Sequence, residues 1–340
     1  MMISSELQLE EVLSEPNEAD AAAMKEIGGD LLILGVGGKM GPSLARRARR
    51  AADKVGVPSR VIGVSRFSSP ALRERLEECG IETISADLLS EKELGALPDV
   101  PNIIYMAARK FGTAGSEHLT WALNTYLPGR VADRFRNSRF VVFSSGNVYP
   151  LTPVAHGGPI EESPTAPTGE YAMSALGRER MFQYFSDRYG TPVTLLRLNY
   201  AIDLRYGVLL DIGVKVFERR PIDLSMGCVN VIWQGDANSI CLRSFVLCSS
   251  PPAILNVTGP ETLSVRRIAM RFGDHFGIEP VFEGSESEGA LLSNASRCHR
   301  LFGYPTVTVD QMIGWVAGWI GMGGPLLAKP THFEVRDGRF

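Results

Sequence analysis

Asp30-Leu31-Leu32-Ile33-Leu34-Gly35-Val36-Gly37-Gly38-Lys39-Met40-Gly41 is the stretch whose reading decides the fold. Leu31 to Leu34 form an unbroken apolar run and read as a buried strand. Gly35, Gly38 and Gly41 follow in a G-x-x-G-x-x-G spacing, and Pro42–Val55 reads as a helix carrying Leu44, Arg46, Arg47, Arg49 and Arg50. Strand, glycine turn and helix in that order make a phosphate cradle. The first glycine permits the tight turn, the second lets backbone approach a pyrophosphate, and the third lets helix and strand pack closely. The helix N-terminus adds free N–H groups and a partial positive charge.

The rest of the chain alternates in the same way. Strands are expected at Arg60–Val64, Ile81–Ser85, Asn102–Met106, Phe140–Phe143 and Val193–Leu198. Helices are expected at Pro70–Cys79, Ser116–Arg136 and Tyr171–Tyr189. Strands alternating with helices predict an α/β fold with a doubly wound parallel sheet, whose ligands lie at the carboxyl ends of the strands. Residues 1–28 read as a polar helical extension and 29–200 as the dinucleotide-binding domain, with a return segment near 229–248. From about Ala201 the alternation loosens. Residues 201–330 read as a smaller, partly discontinuous C-terminal α/β substrate domain, including a strand at Ile254–Val257, and 331–340 as a tail.

Composition narrows the partners. The net charge of −3 over 340 residues gives no reason to expect nucleic acid or an anionic membrane. Five cysteines without a C-x-x-C pair read as reduced thiols of a cytoplasmic protein. Five scattered histidines suggest no metal site. The acidic N-terminus, with Glu6, Glu10, Glu11 and Glu15, does not read as a signal peptide. The apolar run Met312–Ala328 is glycine-broken and short for a membrane span, so a docked helix is expected.

Together these groups resemble the extended short-chain dehydrogenase/reductase family of NAD-dependent epimerases and dehydratases, over roughly residues 29–320. The resemblance is carried by Gly35-x-x-Gly38-x-x-Gly41, Asp87-Leu88, Ala107-Ala108, Asn124, Ser144-Ser145-Gly146-Asn147-Val148-Tyr149, Glu161-Glu162-Ser163-Pro164, Tyr171, Arg197-Leu198-Asn199-Tyr200, Asp236-Ala237 and Asn256-Val257. It implies a Rossmann domain and an oxidoreductase or epimerase/dehydratase acting on a small polyol, sugar or sugar-acid derivative. It implies that Tyr171 donates and accepts the proton while Ser145 orients the substrate oxygen, with Asn124 beside them. It also implies cofactor contacts from Gly35, Gly38, Lys39, Met40, Gly41, Ser65, Arg66, Asp87, Leu88, Ala107, Ala108 and Asn199, and a homodimer formed through the helices after the fourth and fifth strands. The tail Lys329–Glu334 is a further candidate for contact with a neighbouring subunit.

One position departs from the family. Its lysine, four residues after the tyrosine, is Ala175 here. An ordinary tyrosine titrates near 10, so about one part in a thousand is phenolate at pH 7. The family's lysine cation lowers that value and binds the nicotinamide ribose. Its loss is expected to cut base catalysis by roughly two to four orders of magnitude and to favour reduction, which needs only the neutral phenol. Arg109, Lys110 and Arg178 are candidate substitute cations, Lys110 first; the competing reading makes all three surface or phosphate-facing charges. Lys110 also suits a carboxylate-bearing substrate. Arg205 and Arg219 are candidates for an anionic group. The lid segment Asp203–Asp223 and the loop Leu151–Glu162 are expected to line the pocket.

At the end of the second strand the family's NAD-binding members carry an acidic residue; here stands Ser65-Arg66. An arginine there pairs with a 2′-phosphate, aided by Lys39, so NADP is favoured over NAD. Asp87 is expected on the adenine with either. The alternative is a non-catalytic NAD(P)-binding protein that has lost the active-site lysine. The glycine turn also resembles that of dihydrodipicolinate-type reductases, whose His-rich catalytic segment is absent.

Overall fold

In the computed structural model, which describes residues 2–110, 115–329 and 331–338, Leu31–Leu34 forms strand β1 near the middle of a parallel sheet. All four side chains are fully buried, as helices on both faces require. The other strands are β2 (Val61–Ser65), β3 (Glu82–Ser85), β4 (Asn102–Tyr105), β5 (Arg139–Ser145), β6 (Val193–Leu198) and β7 (Ala253–Val257). Their spatial order is β7-β6-β5-β4-β1-β2-β3. Leu34 lies between Val64 of β2 and Tyr105 of β4. The winding direction reverses between β1 and β4, and a crevice opens above their carboxyl ends.

The expected α/β architecture is therefore present. One strand sits elsewhere than the sequence reading put it. Ala253–Val257, assigned with the C-terminal unit, pairs with β6 and forms an edge of the main sheet. A five-residue apolar strand carries no local mark of the sheet it joins.

The N-terminal extension forms α1 (Glu6–Ser14) and α2 (Glu18–Ile27), both laid on α3 (Gly41–Lys54). Helix α3 turns Ala45, Ala48, Ala51 and Ala52 inward, and these small side chains let it lie close to the sheet. Its arginines meet the carboxylates of the extension. Arg46 and Arg50 pair with Glu11, Arg50 with Glu15, and buried Arg47 with buried Asp20 at 2.6 Å. The two opposite charge runs of the sequence are thus one interface.

Helices α4 (Pro70–Glu78), α5 (Glu91–Gly95), α6 (Glu117–Trp121), α7 (Leu127–Arg134) and α8 (Glu170–Tyr189) complete the crossovers. The single helix expected over Ser116–Arg136 is interrupted by a π-helical turn, Ala122–Tyr126. Beyond β6 come α9 (Val208–Phe217), α10 (Gln234–Arg243), α11 (Val265–Phe276), α12 (Ser296–Phe302) and α13 (Val309–Gly321). Ile212, Phe272, Ile313, Val316 and Trp319 join α9, α11 and α13 in one core. Among the described residues no helix is long and apolar enough to cross a membrane.

The tail folds onto its own chain. Thr331 donates through its backbone N (2.7 Å) and Oγ1 (2.5 Å) to Asp211, Phe333 is buried in the C-terminal core, and Glu334 pairs with Lys215. The half-buried Asp211 carboxylate needs donors, and the tail supplies them.

Candidate active site

The glycine turn joins β1 to α3 with a different constraint at each glycine. Gly35 has φ +95°, and a Cβ there would lie 2.6 Å from the Ala107 nitrogen at the end of β4. Gly41 starts α3, and its Cβ would lie 2.2 Å from the Val36 carbonyl oxygen. Gly38 is different: its Cβ would meet only the Gly35 carbonyl oxygen, at 3.4 Å. Two glycines serve internal packing, and the third keeps the floor open. Helix α3 begins without a side-chain cap, so its first N–H groups are available.

At the end of β4, Asn124 fixes the chain that carries Lys110. It accepts from the Arg109 nitrogen at 2.8 Å and donates to the Arg109 carbonyl at 2.8 Å and to Ser174 Oγ at 3.0 Å. Ser174 in turn donates to the Tyr171 carbonyl at 2.8 Å. These bonds tie the π-helical turn to α8, a common use of such turns. Asn124 is fully buried and does not reach the cavity, so the geometry makes it a positioning residue. Lys110 Nζ lies 5.8 Å from the centre of the Tyr171 ring.

At the end of β5, Ser145 Oγ accepts from the Asn147 nitrogen at 3.2 Å and donates to Asn147 Oδ1 at 3.0 Å. One helical turn beyond Tyr171, Ala175 is fully buried against Val148 and Tyr149. The next turn carries Arg178 and Glu179. Glu179 is held by Arg197 and by Ser144 Oγ. Arg178 is 2% exposed and donates through Nη1 to the Phe143 carbonyl at 2.6 Å.

These elements enclose a cavity of about 650 Å³. Gly38, Lys39, Met40, Ala108, Lys110, Ser145, Tyr171 and Asn199 all line it. Tyr200 and Tyr206 line it too, as do Lys329 and Thr331, which the sequence does not mark as pocket residues. Lys39 lies 3.0 Å from the centre of the Tyr206 ring. Burial pulls the Lys39 ammonium down to about 6, and the like charges of Lys110 and Lys329 act in the same direction. Burial pulls Lys110 down to about 8, opposed by Asp211. Burial pushes the Tyr206 phenol above its ordinary range, and the Asp211 charge adds to it. Three lysines converging at one wall suit a ligand with several negative charges.

Other expected residues lie away from the cavity lining. Gly35, Gly41 and Ala107 shape the turn from behind. Ser65 Oγ would lie 2.4 Å from a Cβ at Gly37, so it backs the turn too. Arg66 is exposed at the end of β2. Asp87 accepts from the Leu89 nitrogen at 3.0 Å, and Leu88 is buried in the core beside β3. Arg205 lines the cavity but is paired with Asp203 and Glu10 at 2.7 and 2.8 Å; Arg219 does not line it. The lid segment contributes Arg205, Tyr206, Gly207 and Val208. The loop Leu151–Glu162 contributes nothing to the lining: its Pro159 carbonyl takes bonds from Asn256 and Asn294, and Glu161 caps the Asn256 nitrogen. Polar backbone in that loop finds its partners at the β7 edge, which draws it off the pocket.

Residues 31–201 match the NAD dependent epimerase/dehydratase family. The chain belongs to this family. It is thereby an epimerase/dehydratase-type enzyme. No curated protein matches the chain closely enough to count. Among solved structures, an epimerase from Methanothermobacter thermautotrophicus superposes with a TM-score of 0.71 at 17% identity, over 89% of this chain and 96% of that one. MoeE5, solved with UDP-glucose and NAD, gives 0.70 at 17% identity, over 87% and 99%. UDP-glucuronic acid 4-epimerase from Bacillus cereus, solved with UDP-glucuronic acid and NAD, gives 0.69 at 17% identity, over 86% and 99%. At such identity the likeness establishes the shared fold.

Proposed function

We propose that this epimerase/dehydratase-family chain acts on a nucleotide-linked sugar or sugar acid with a nicotinamide dinucleotide, in the cavity above the glycine turn. The carrying observation is that Tyr171 and Ser145 line the same cavity as Gly38, Lys39 and the start of α3. Two of the structural relatives named above, MoeE5 and the Bacillus cereus epimerase, were solved with NAD and a UDP-sugar or UDP-sugar acid, which supports that substrate class. The open face at Gly38 and the uncapped α3 fit a diphosphate, and Gly35, Gly38, Lys39, Met40 and Gly41 would hold it. Ser65, Arg66, Asp87 and Leu88 lie at the strand ends for the adenosine side, and Ala107, Ala108 and Asn199 for the remainder. The bound nicotinamide would supply hydride acceptance and donation.

The chain's own part is proton handling. Tyr171 exchanges a proton with the substrate oxygen through its hydroxyl, and Ser145 orients that oxygen. With Ala175 in place of a lysine, Lys110 brings positive charge to the phenol, and Asn124 holds the Lys110 segment in position. Reduction is favoured over oxidation, because the neutral phenol serves it directly. The burial of Ala175 against Val148 and Tyr149 also favours a second reading, a dinucleotide-binding protein without turnover.

No acidic residue stands at the end of β2, and exposed Arg66 is free to turn towards a 2′-phosphate. NADP is therefore proposed over NAD, with Arg66→Ala expected to lower NADPH affinity severalfold and to leave NADH affinity unchanged. A homodimer is proposed from the exposed Leu119, Trp121, Tyr126, Met173 and Tyr184 on α6, the π-helical turn and α8. Sedimentation of the purified protein checks it.

The activity test offers UDP-glucose and UDP-glucuronate with NAD or NADP, and 4-keto sugar nucleotides with the reduced forms. Absorbance at ~340 nm reports hydride transfer, and chromatography reports epimers or dehydration products. Turnover that Tyr171→Phe abolishes supports the proposal. Tight dinucleotide binding with no turnover on any of these substrates favours the second reading.

A further inference from the structure

Residues 327–329 and 331–338 form a strap along one side of the cavity, and Leu327, Lys329 and Thr331 line it. The strap is anchored along its length. The Leu327 nitrogen donates to the Arg205 carbonyl at 3.0 Å. Thr331 is latched to Asp211 by the two bonds described above, Phe333 is buried, and Arg336 Nη1 donates to the Ser225 and Gly289 carbonyls at 2.8 and 2.9 Å. Gly338 lies backbone to backbone on Gly169, the residue before α8: a Cβ at Gly169 would stand 2.3 Å from the Gly338 carbonyl oxygen. Ala328 and His332 have φ of +49° and +52°. Non-glycine residues keep that left-handed conformation only where their surroundings impose it. Two such residues bracket Lys329 and Thr331, so an anchored strap decides where these two side chains sit.

Lys329 is the unspent group on the strap. Its side chain is exposed, it lines the cavity, and it has no hydrogen bond or ion pair among the described residues. The anchors place it. Leu327 is tied to Arg205, whose neighbour Tyr206 lies against Lys39, and Thr331 is tied to Asp211 in the first turn of α9. Lys329 stands between these two anchors, close enough for Lys39 to feel its charge. Lys39 and Lys110 follow β1 and β4 and belong to the dinucleotide's side of the cavity. Lys329 comes from the C-terminal unit, and it lies beyond residues 31–201 that match the family, so no family role carries over to it. Like charges gathered on one space repel until an anion enters. The start of α3 and Lys39 serve the anion of the dinucleotide. A third lysine, delivered from the C-terminal unit, calls for a second anion, and a sugar nucleotide or sugar acid brings one.

We propose that the strap is a specificity element of the substrate site: Lys329 binds an oxyanion of the substrate, on a phosphate or a carboxylate, and the Thr331–Asp211 latch holds the lysine in reach. The inference rests on the nucleotide-sugar reading above and names the residue that selects the charged part of that substrate.

The test measures binding to the whole protein by calorimetry, first of NADPH and NADH, then of UDP-glucose and UDP-glucuronate with the tighter dinucleotide at saturation. The reduced dinucleotide leaves no hydride acceptor, so turnover does not intrude. Lys329→Met is expected to weaken a sugar nucleotide by roughly tenfold and the dinucleotides by less than about twofold. A loss shared by UDP-glucose and UDP-glucuronate puts the lysine on the phosphates, and a loss confined to UDP-glucuronate puts it on the carboxylate; either supports the inference. Lys329→Arg, which keeps the charge, is expected to restore most of the affinity. Thr331→Val removes one of the two latch bonds and is expected to weaken the same ligand by a smaller factor, with Lys329→Met costing less in that background than in wild type. Unchanged affinity for both sugar nucleotides in Lys329→Met overturns the inference and leaves the proposed function intact. A dinucleotide loss as large as the sugar-nucleotide loss overturns it as well, since it would place the lysine on the cofactor. Wild type that binds a dinucleotide but neither sugar nucleotide overturns the substrate class proposed above, and this inference with it. Wild type that binds nothing overturns the dinucleotide reading too.

Discussion

The two ends of the cavity were built under different rules. At the β1–α3 end each glycine does one job, and the geometry of each is enforced by backbone: Ala107 crowds Gly35, Val36 crowds Gly41, and Gly38 is left open. At the β5–α8 end the tyrosine and serine stand in place, but the cation that should follow one turn later is absent. Two other cations lie nearby: Lys110, 5.8 Å from the centre of the Tyr171 ring, and buried Arg178 on the next turn of α8. A backbone cradle tolerates almost no substitution. A side-chain charge needs only to arrive within a few ångströms, and several positions can deliver it. Under the proposed function, the binding half is fixed by backbone and the chemical half is open to rearrangement.

Four experiments break or sharpen that contrast. Tyr171→Phe has the largest expected effect, a loss of turnover of roughly 10²–10⁴ with dinucleotide affinity nearly unchanged. A parallel loss of affinity would show that the two ends are not separable. Gly41→Ala drives a Cβ into the Val36 carbonyl and is expected to cost about 2–3 kcal/mol of stability, read by chemical denaturation. Gly38→Ala, facing the open floor, should leave the denaturation midpoint in place and weaken dinucleotide binding. Matching midpoints for the two variants would contradict the division of labour among the glycines.

Lys110→Met tests the rearranged half. Its charge should be worth about 2 kcal/mol to a developing phenolate, so oxidation slows roughly thirtyfold while reduction is nearly spared. Because Lys110 is cationic below about pH 8 and neutral above it, wild type should lose the same advantage as the pH rises through that value. A pH-independent ratio of the two directions, corrected for the equilibrium, would remove Lys110 from the account. The smallest effect concerns Lys39. In the free protein its ammonium is pulled down to about 6, so it is mostly neutral at pH 7. A bound diphosphate raises that value, the complex binds more protons than the free protein, and affinity rises as the pH falls from 8 to 6. The gain is at most about tenfold per pH unit. Calorimetry in buffers of different ionisation enthalpy should show proton uptake at pH 7, and Lys39→Met should abolish it.

What was legible in the sequence was local. Leu31–Leu34, the glycine spacing and the helix after it are consecutive, and their consequences follow from consecutive residues. Tyr171, Ser145 and Lys110 share a cavity because each sits at or just past the end of a strand or at the start of the next helix. The features that escaped depend on segments far apart in the chain. Glu11 and Glu15 neutralise α3 from the N-terminal extension. Lys329 and Thr331 reach the cavity because Asp211 ties down the tail. The loop Leu151–Glu162 is drawn away because Asn256 and Asn294 offer its carbonyl groups better partners. Arg178 was visible as a cation on the right helix face, but its bond to the Phe143 carbonyl becomes apparent only once β5 is in place.

The most direct measurement of the central claim is a titration of the purified protein with NADH and with NADPH, followed by nicotinamide fluorescence. The account predicts saturable, sub-millimolar binding of at least one of them, lost in Gly38→Ala and kept in Tyr171→Phe. No fluorescence change with either nucleotide at millimolar concentration would contradict it.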